Sequence, residues 1–105
     1  MPGPRGEIAD RVIFENERVR IWELRLPPGQ DGDRHHHELD HVLIQIDGDR
    51  MAVVPEPDSQ SPYREYLEAE VVPGQIFYVP KGGHETARNV GAKTYHEIIV
   101  ELKGP

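Results

Sequence analysis

Apolar and polar side chains alternate along most of this chain in short runs, without helical spacing, and each run stops at a turn signal. The runs fall at residues 11–15, 18–26, 35–46 with a bend near Glu38, 50–54, 64–72, 75–79, 85–90 and 94–102. Between them stand Pro27-Pro28-Gly29, Asp47-Gly48-Asp49, Pro73-Gly74, Lys81-Gly82-Gly83 and Val90-Gly91. The stretch from Tyr63 to Glu70 holds good helix formers, but its alternation fits a strand as well. It ends at Pro73-Gly74 among other strands, so it is assigned to the sheet. Residues 55–62 form a polar loop, the expected flexible segment, and residues 1–10 are Pro/Gly-rich and expected to be a flexible arm. That leaves 11–105 as one all-β domain, a sandwich or barrel. A small barrel holds either packed side chains or one small ligand, so polar residues that project inward are the ones to find.

Composition sharpens this picture. Ten glycines and ten prolines in 105 residues suit a turn-rich β chain, and 36% hydrophobic residues make a lean core. A chain this short gains margin by closing a barrel or pairing with a second copy. Apolar residues on both faces of 18–26 point to a homodimer. The net charge is −7 and no basic run or stripe occurs, which argues against nucleic acid as a partner. With no cysteine there is neither a disulfide nor a thiolate site. No stretch is long and apolar enough to span a bilayer, and the N-terminus has no apolar signal core. The expectation is a cytoplasmic protein away from membranes.

The chemistry concentrates in Arg34-His35-His36-His37-Glu38-Leu39-Asp40-His41. Residues two apart in a strand share a face, which puts His35 with His37 and, if the parity carries through the bend, Leu39, His41, Leu43 and Gln45 as well. Val42, Ile44 and Ile46 then pack on the other side. Three imidazoles on one face are the donor set of zinc, iron, copper and nickel. Three charged imidazoles would repel one another, whereas a bound metal keeps them neutral. The plainer readings are an accidental surface run or the remnant of an affinity tag. A mid-chain position between strand and turn signals argues against a tag.

At these residues the chain resembles the cupin superfamily. That family's first motif is Gly, five residues, His-x-His, three or four residues, Glu, six residues, Gly. Here Gly29, His35-His36-His37, His41 and Gly48 fall at those intervals, with His41 where the family usually has glutamate. The second motif is Gly, five residues, Pro-x-Gly, two residues, His, three residues, Asn. Gly74, Pro80-Lys81-Gly82 and Asn89 match it, with Glu85 at the histidine position and His84 one residue early. The resemblance covers nearly the whole chain, including 16–24 and 97–102, which resemble the ends of small single-domain cupins such as those associated with beta-alanine degradation.

The resemblance implies a double-stranded β-helix, or jelly-roll, barrel. It also implies a metal held by three histidines and one glutamate: His35, His37, His41 and Glu85. The alternative fourth ligand is His84, turned inward by a bulge; strand parity favours Glu85, which shares a face with Ala87 and Asn89. The metal expected first is Fe(II), with Mn, Ni or Zn able to take the same donors. His96, on the apolar side of 94–102 with Ile98, Val100 and Leu102, is a core residue or, if it points inward, a general base beside Glu85. Gln45, Leu43 and Tyr78 are the candidate pocket residues. Asp40 and Arg88 read as surface charges, Asp40 with the option of orienting a ligand imidazole.

Three functions stay open on these residues. The first is a metal-dependent, dioxygenase-like enzyme acting on a compact oxygenated molecule such as a diketone or oxo acid. The second is a non-oxidative isomerase or lyase in which Glu85 or His96 moves a proton, and the third is a non-catalytic metabolite binder.

Overall fold

The computed structural model describes residues 9–32, 35–36, 38–55, 65–82 and 84–104, and for His35, His36, Pro55, His84 and Glu85 it describes the backbone alone. The described residues form nine strands: β1 (Arg11–Glu15), β2 (Val19–Leu26), β3 (His35–His36), β4 (His41–Asp47), β5 (Arg50–Pro55), β6 (Leu67–Glu70), β7 (Ile76–Val79), β8 (His84–Asn89) and β9 (Tyr95–Leu102). They make two antiparallel sheets, one in the order β1-β2-β9-β4-β7 and the other β3-β8-β5-β6. Among the described residues no helix is long and apolar enough to cross a membrane.

Two expected elements come out differently. The run 35–46 is not one bent strand: β3 lies in the four-stranded sheet and β4 in the five-stranded one, so the chain changes sheets between His36 and His41. A polar bend at Glu38 and Asp40 lets the backbone leave one ladder before joining the next. The run 64–72 shortens to β6, an exposed edge strand whose Glu68 and Glu70 help keep that edge from pairing with another chain. Arg64, with most of the polar loop before it, lies outside the described residues.

The core sits between the sheets, where Trp22, Leu24, Leu26, Val71, Tyr95 and Ile99 pack with Leu43 and Met51. Ala9 is buried in the same cluster, and Asp10 is tied to β2 through its N–H to Glu23 O and its carboxylate to Arg25 N. These two residues therefore pack onto the domain, and the rest of the expected arm, residues 1–8, lies outside the described residues.

The β4–β5 turn depends on Gly48, at φ +150°, where a Cβ would come within 2.9 Å of Tyr95 Cδ1. Asn89 plays a similar tightening part at the end of β8. Its buried amide donates to Leu26 O and Lys93 O, and its carbonyl accepts from Gly91 N–H.

Candidate functional site

Strand β9 alternates strictly, with Tyr95, Glu97, Ile99 and Glu101 buried and the residues between them half-exposed. Its register with β2 and β4 extends that alternation across the sheet. The inward rungs are Arg20–Glu101–His41, Trp22–Ile99–Leu43 and Leu24–Glu97–Gln45. Two polar layers thus face the barrel interior, separated by an apolar one.

The first layer holds His41, which is fully buried. Its Nδ1 lies 3.1 Å from Leu39 O. A carbonyl accepts only, so Nδ1 carries a proton and donates it to Leu39 O. Beside it on the ladder Glu101 is buried too, and its Oε1 accepts from Trp22 Nε1 at 2.6 Å and Arg20 Nε at 2.8 Å. The Arg20 guanidinium also stands 5.7 Å from the centre of the Trp22 ring, within cation–π range.

The second layer lines a cavity of about 210 Å³, walled mainly by Leu43, Val53, Phe77, Ala87 and Ile99. Gln45 Nε2 donates to Tyr95 Oη at 3.3 Å, and Tyr95 Oη donates to Glu97 Oε1 at 2.5 Å. Burial and then the charge of Glu97 push the Tyr95 phenol well above its usual range, so it stays protonated.

Of the expected metal ligands other than His41, His35 and Glu85 occupy one rung of the β3–β8 ladder. His36 and His84 occupy the next. His37 lies outside the described residues. No group of three or more His, Asp or Glu that could hold a metal occurs among the described residues, a set that covers His41 but not the other three expected ligands. Leu43 and Gln45 face the cavity, with Thr86 and Ala87 across from them.

Two placements correct the sequence reading. His96 points to the outer face of the five-stranded sheet, where its Nε2 lies 2.8 Å from Glu23 Oε2, so it is removed from the cavity. Tyr78 is 59% exposed on that same outer face and donates to Asp40 Oδ2 at 2.7 Å; its neighbour Phe77 is the one that lines the cavity. Alternation along β7 makes the choice, since Phe77 and Val79 face in and Tyr78 faces out.

Asp40 also accepts from Lys81 N–H, so it fastens the start of β4 to the turn that leads into β8. The Tyr78 hydroxyl and then the Lys81 amide hold its carboxyl below the usual range. Arg88 is held at the surface in a bidentate pair with Asp31.

Sequence reasoning passes over Tyr95, Glu97 and Glu101. Their signal is the alternation of 95–102 itself, read with the apolar face inward when the polar face is the buried one.

No family model matches the chain. A protein of Pseudomonas aeruginosa named beta-alanine degradation protein BauB is 28% identical over 96 residues, 90% of each chain. A cupin domain from Bordetella pertussis Tohama I superposes with a TM-score of 0.74 at 22% identity, over 90% of this chain and 91% of that one. An RmlC-like cupin family protein with a double-stranded β-helix, from Methanocaldococcus jannaschii, gives 0.66 at 22% identity over 92% and 93%. The polyketide cyclase RemF of Streptomyces resistomycificus gives 0.63 at 18% identity over 90% and 63%. The fold is therefore the cupin double-stranded β-helix.

Proposed function

From the cupin fold as premise, we propose that this chain binds a divalent transition metal through His35, His37, His41 and Glu85. We further propose that it works as a small metalloenzyme on a compact oxygenated organic molecule. The observation that carries the reading is the state of His41. It is fully buried and donates from Nδ1 to Leu39 O, so Nε2 is the ring nitrogen through which it would ligate a metal. The β3–β8 register supports Glu85 over His84, because Glu85 shares a rung with His35.

Fe(II) comes first for this mixed imidazole and carboxylate set, with Mn, Ni and Zn behind it. A bound iron supplies one-electron and dioxygen chemistry, which a protein's own side chains lack. The chain supplies the rest. Leu43, Phe77 and Ile99 keep water from the cavity, while Gln45 and the Tyr95–Glu97 pair orient what enters it. Dioxygenation of a diketone or oxo acid is the reaction placed first. Glu97 in the cavity wall favours a second, non-oxidative reading, in which a carboxylate moves a proton on a bound substrate. Consumption of oxygen separates the two. The name of the Pseudomonas relative puts beta-alanine and compounds formed from it among the first to assay. The cytoplasm is the proposed location, since a cysteine-free chain gains nothing from an oxidising compartment.

The test is metal analysis of tag-free protein purified without added metal, beside His37→Ala. Near-stoichiometric metal that disappears in the variant is the expected result. Little metal in either protein, with no recovery on adding iron, zinc, manganese or nickel, overturns the reading.

A further inference from the structure

Protein interiors hold few voids larger than a water molecule, because each missing contact weakens the fold. A chain with 36% hydrophobic residues has little packing to give away, yet its barrel keeps a cavity of about 210 Å³. Register shows where that space lies. Leu43 follows His41 by two residues on β4, and Phe77, Ile99 and Trp22 complete its rung. On the other sheet Ala87 follows Glu85 by two residues on β8, and Val53 and Leu67 complete its rung. Both sheets thus place an apolar rung directly beside one that carries an expected metal ligand. Leu43, Phe77, Ile99, Val53, Leu67 and Ala87 all line the cavity. The polar side chains of the wall come one rung farther along, where Gln45 and Glu97 are both bonded to Tyr95.

We propose that the substrate of this barrel carries an apolar body seated between these two rungs. An apolar cavity of about 150 Å³ lined by Leu, Ile and Phe takes benzene, so this one suits a ring or short chain of about six to eight carbons. The inference rests on the reading of the barrel as a substrate site and narrows it. An oxygenated end at the rung of His41 leaves the rest of the molecule on carbon, and burial of that carbon supplies the affinity. Free beta-alanine, charged at both ends across a short link, offers the wall almost no apolar surface. Its charges would also lose hydration there. A compound formed from it qualifies only with an apolar group attached.

Butan-2-one, pentan-2-one, hexan-2-one and beta-alanine test this by NMR titration of the protein as purified. Contacts from the chain-end methyl group to Leu43 and Ile99 locate the bound ketone. Affinity is expected to climb roughly threefold to fourfold with each added methylene, as it does when a CH₂ leaves water completely. Beta-alanine is expected to leave the Leu43 and Ile99 signals in place at the same concentrations. Ala87→Ile pushes carbon into the cavity and should weaken hexan-2-one at least roughly tenfold, with an unfolding midpoint at or above the parent's. The series in the parent stands as a test whether or not that variant folds. A series that stays flat, or beta-alanine shifting Leu43 and Ile99 as hexan-2-one does, overturns the proposal. So do ketone contacts to Ile44 and Ile98, which would put the chain on the outer face of the sheet. Metal content of the same samples keeps the readings apart. A climbing series without metal removes the metal centre and leaves the apolar site; metal with a flat series does the reverse.

Discussion

A carboxylate taken out of water persists only where its charge is met, and Glu101 is met twice, by Trp22 Nε1 and Arg20 Nε on the same oxygen. Glu101→Leu keeps a similar volume but strands the indole N–H and leaves the guanidinium without its partner. Arg20 is partly exposed and recovers some hydration, so the expected loss is about 2–3 kcal/mol, near the lower end for breaking a buried pair. The denaturant midpoint measures it, and Trp22, the one tryptophan, reports the transition by fluorescence. Gly48 makes a second prediction at this scale. A methyl group there would meet Tyr95 Cδ1 at 2.9 Å and Val71 Cγ2 at 3.2 Å, in a backbone conformation that L side chains avoid. Gly48→Ala should cost about 2 kcal/mol or more, from strain and overpacking together, read as a fall in the unfolding midpoint. A variant as stable as the parent would show that the β4–β5 turn yields.

Alternation of apolar and polar residues makes most strands legible in the sequence: β1 falls where it is expected, and β2, β5, β7, β8 and β9 agree to within a residue or so at each end. What alternation cannot give is the inward side of a strand that has apolar residues on both. In β9 the usual rule, apolar inward, turns His96 toward the interior with Ile98 and Val100. The barrel instead buries Tyr95, Glu97, Ile99 and Glu101, whose polar groups partner one another and neighbouring strands. Likewise the histidine-rich run shows a bend near Glu38, but a change of sheet depends on long-range pairing that no local pattern encodes. The outward His96 brings its own prediction. With Arg11 first and His96 second, it holds the Glu23 carboxyl below the usual carboxylate pKa. A folded pKa below the unfolded one means the contribution is complete above the unfolded value of 4.5 and is lost as pH falls through the lower folded value. Glu23→Gln should therefore flatten the acid limb of stability, and denaturant midpoints between about pH 6 and pH 3 would show it. An unchanged limb would mean other carboxylates dominate there.

At the scale of the whole molecule, the apolar residues that β9 turns outward need an account. Register places Phe14, Ile21, Val100, Val42 and Tyr78 side by side across all five strands of the larger sheet. Ile98, Ile44 and Ile76 form the neighbouring rung. Phe14 is 53% exposed, Ile76 63% and Tyr78 59%, so large side chains stand in water at both edges of that stripe. A contiguous apolar band on one face of a small domain marks an association surface, whereas scattered exposed residues would not. A chain with a thin core gains from covering it, and two copies related by a two-fold axis can cover the same band with itself. The expectation is a homodimer through the outer face of the five-stranded sheet. Ile44→Glu places a charge at the centre of the band while leaving the interior rungs alone. It should give monomers by sedimentation equilibrium at concentrations where the parent is dimeric, with the fluorescence of the buried Trp22 unchanged. A parent that is monomeric at micromolar concentration would leave the band for some other partner. A variant that stays dimeric would move the interface to another face, and in either case the account of why β9 turns its isoleucines outward would have to be rebuilt.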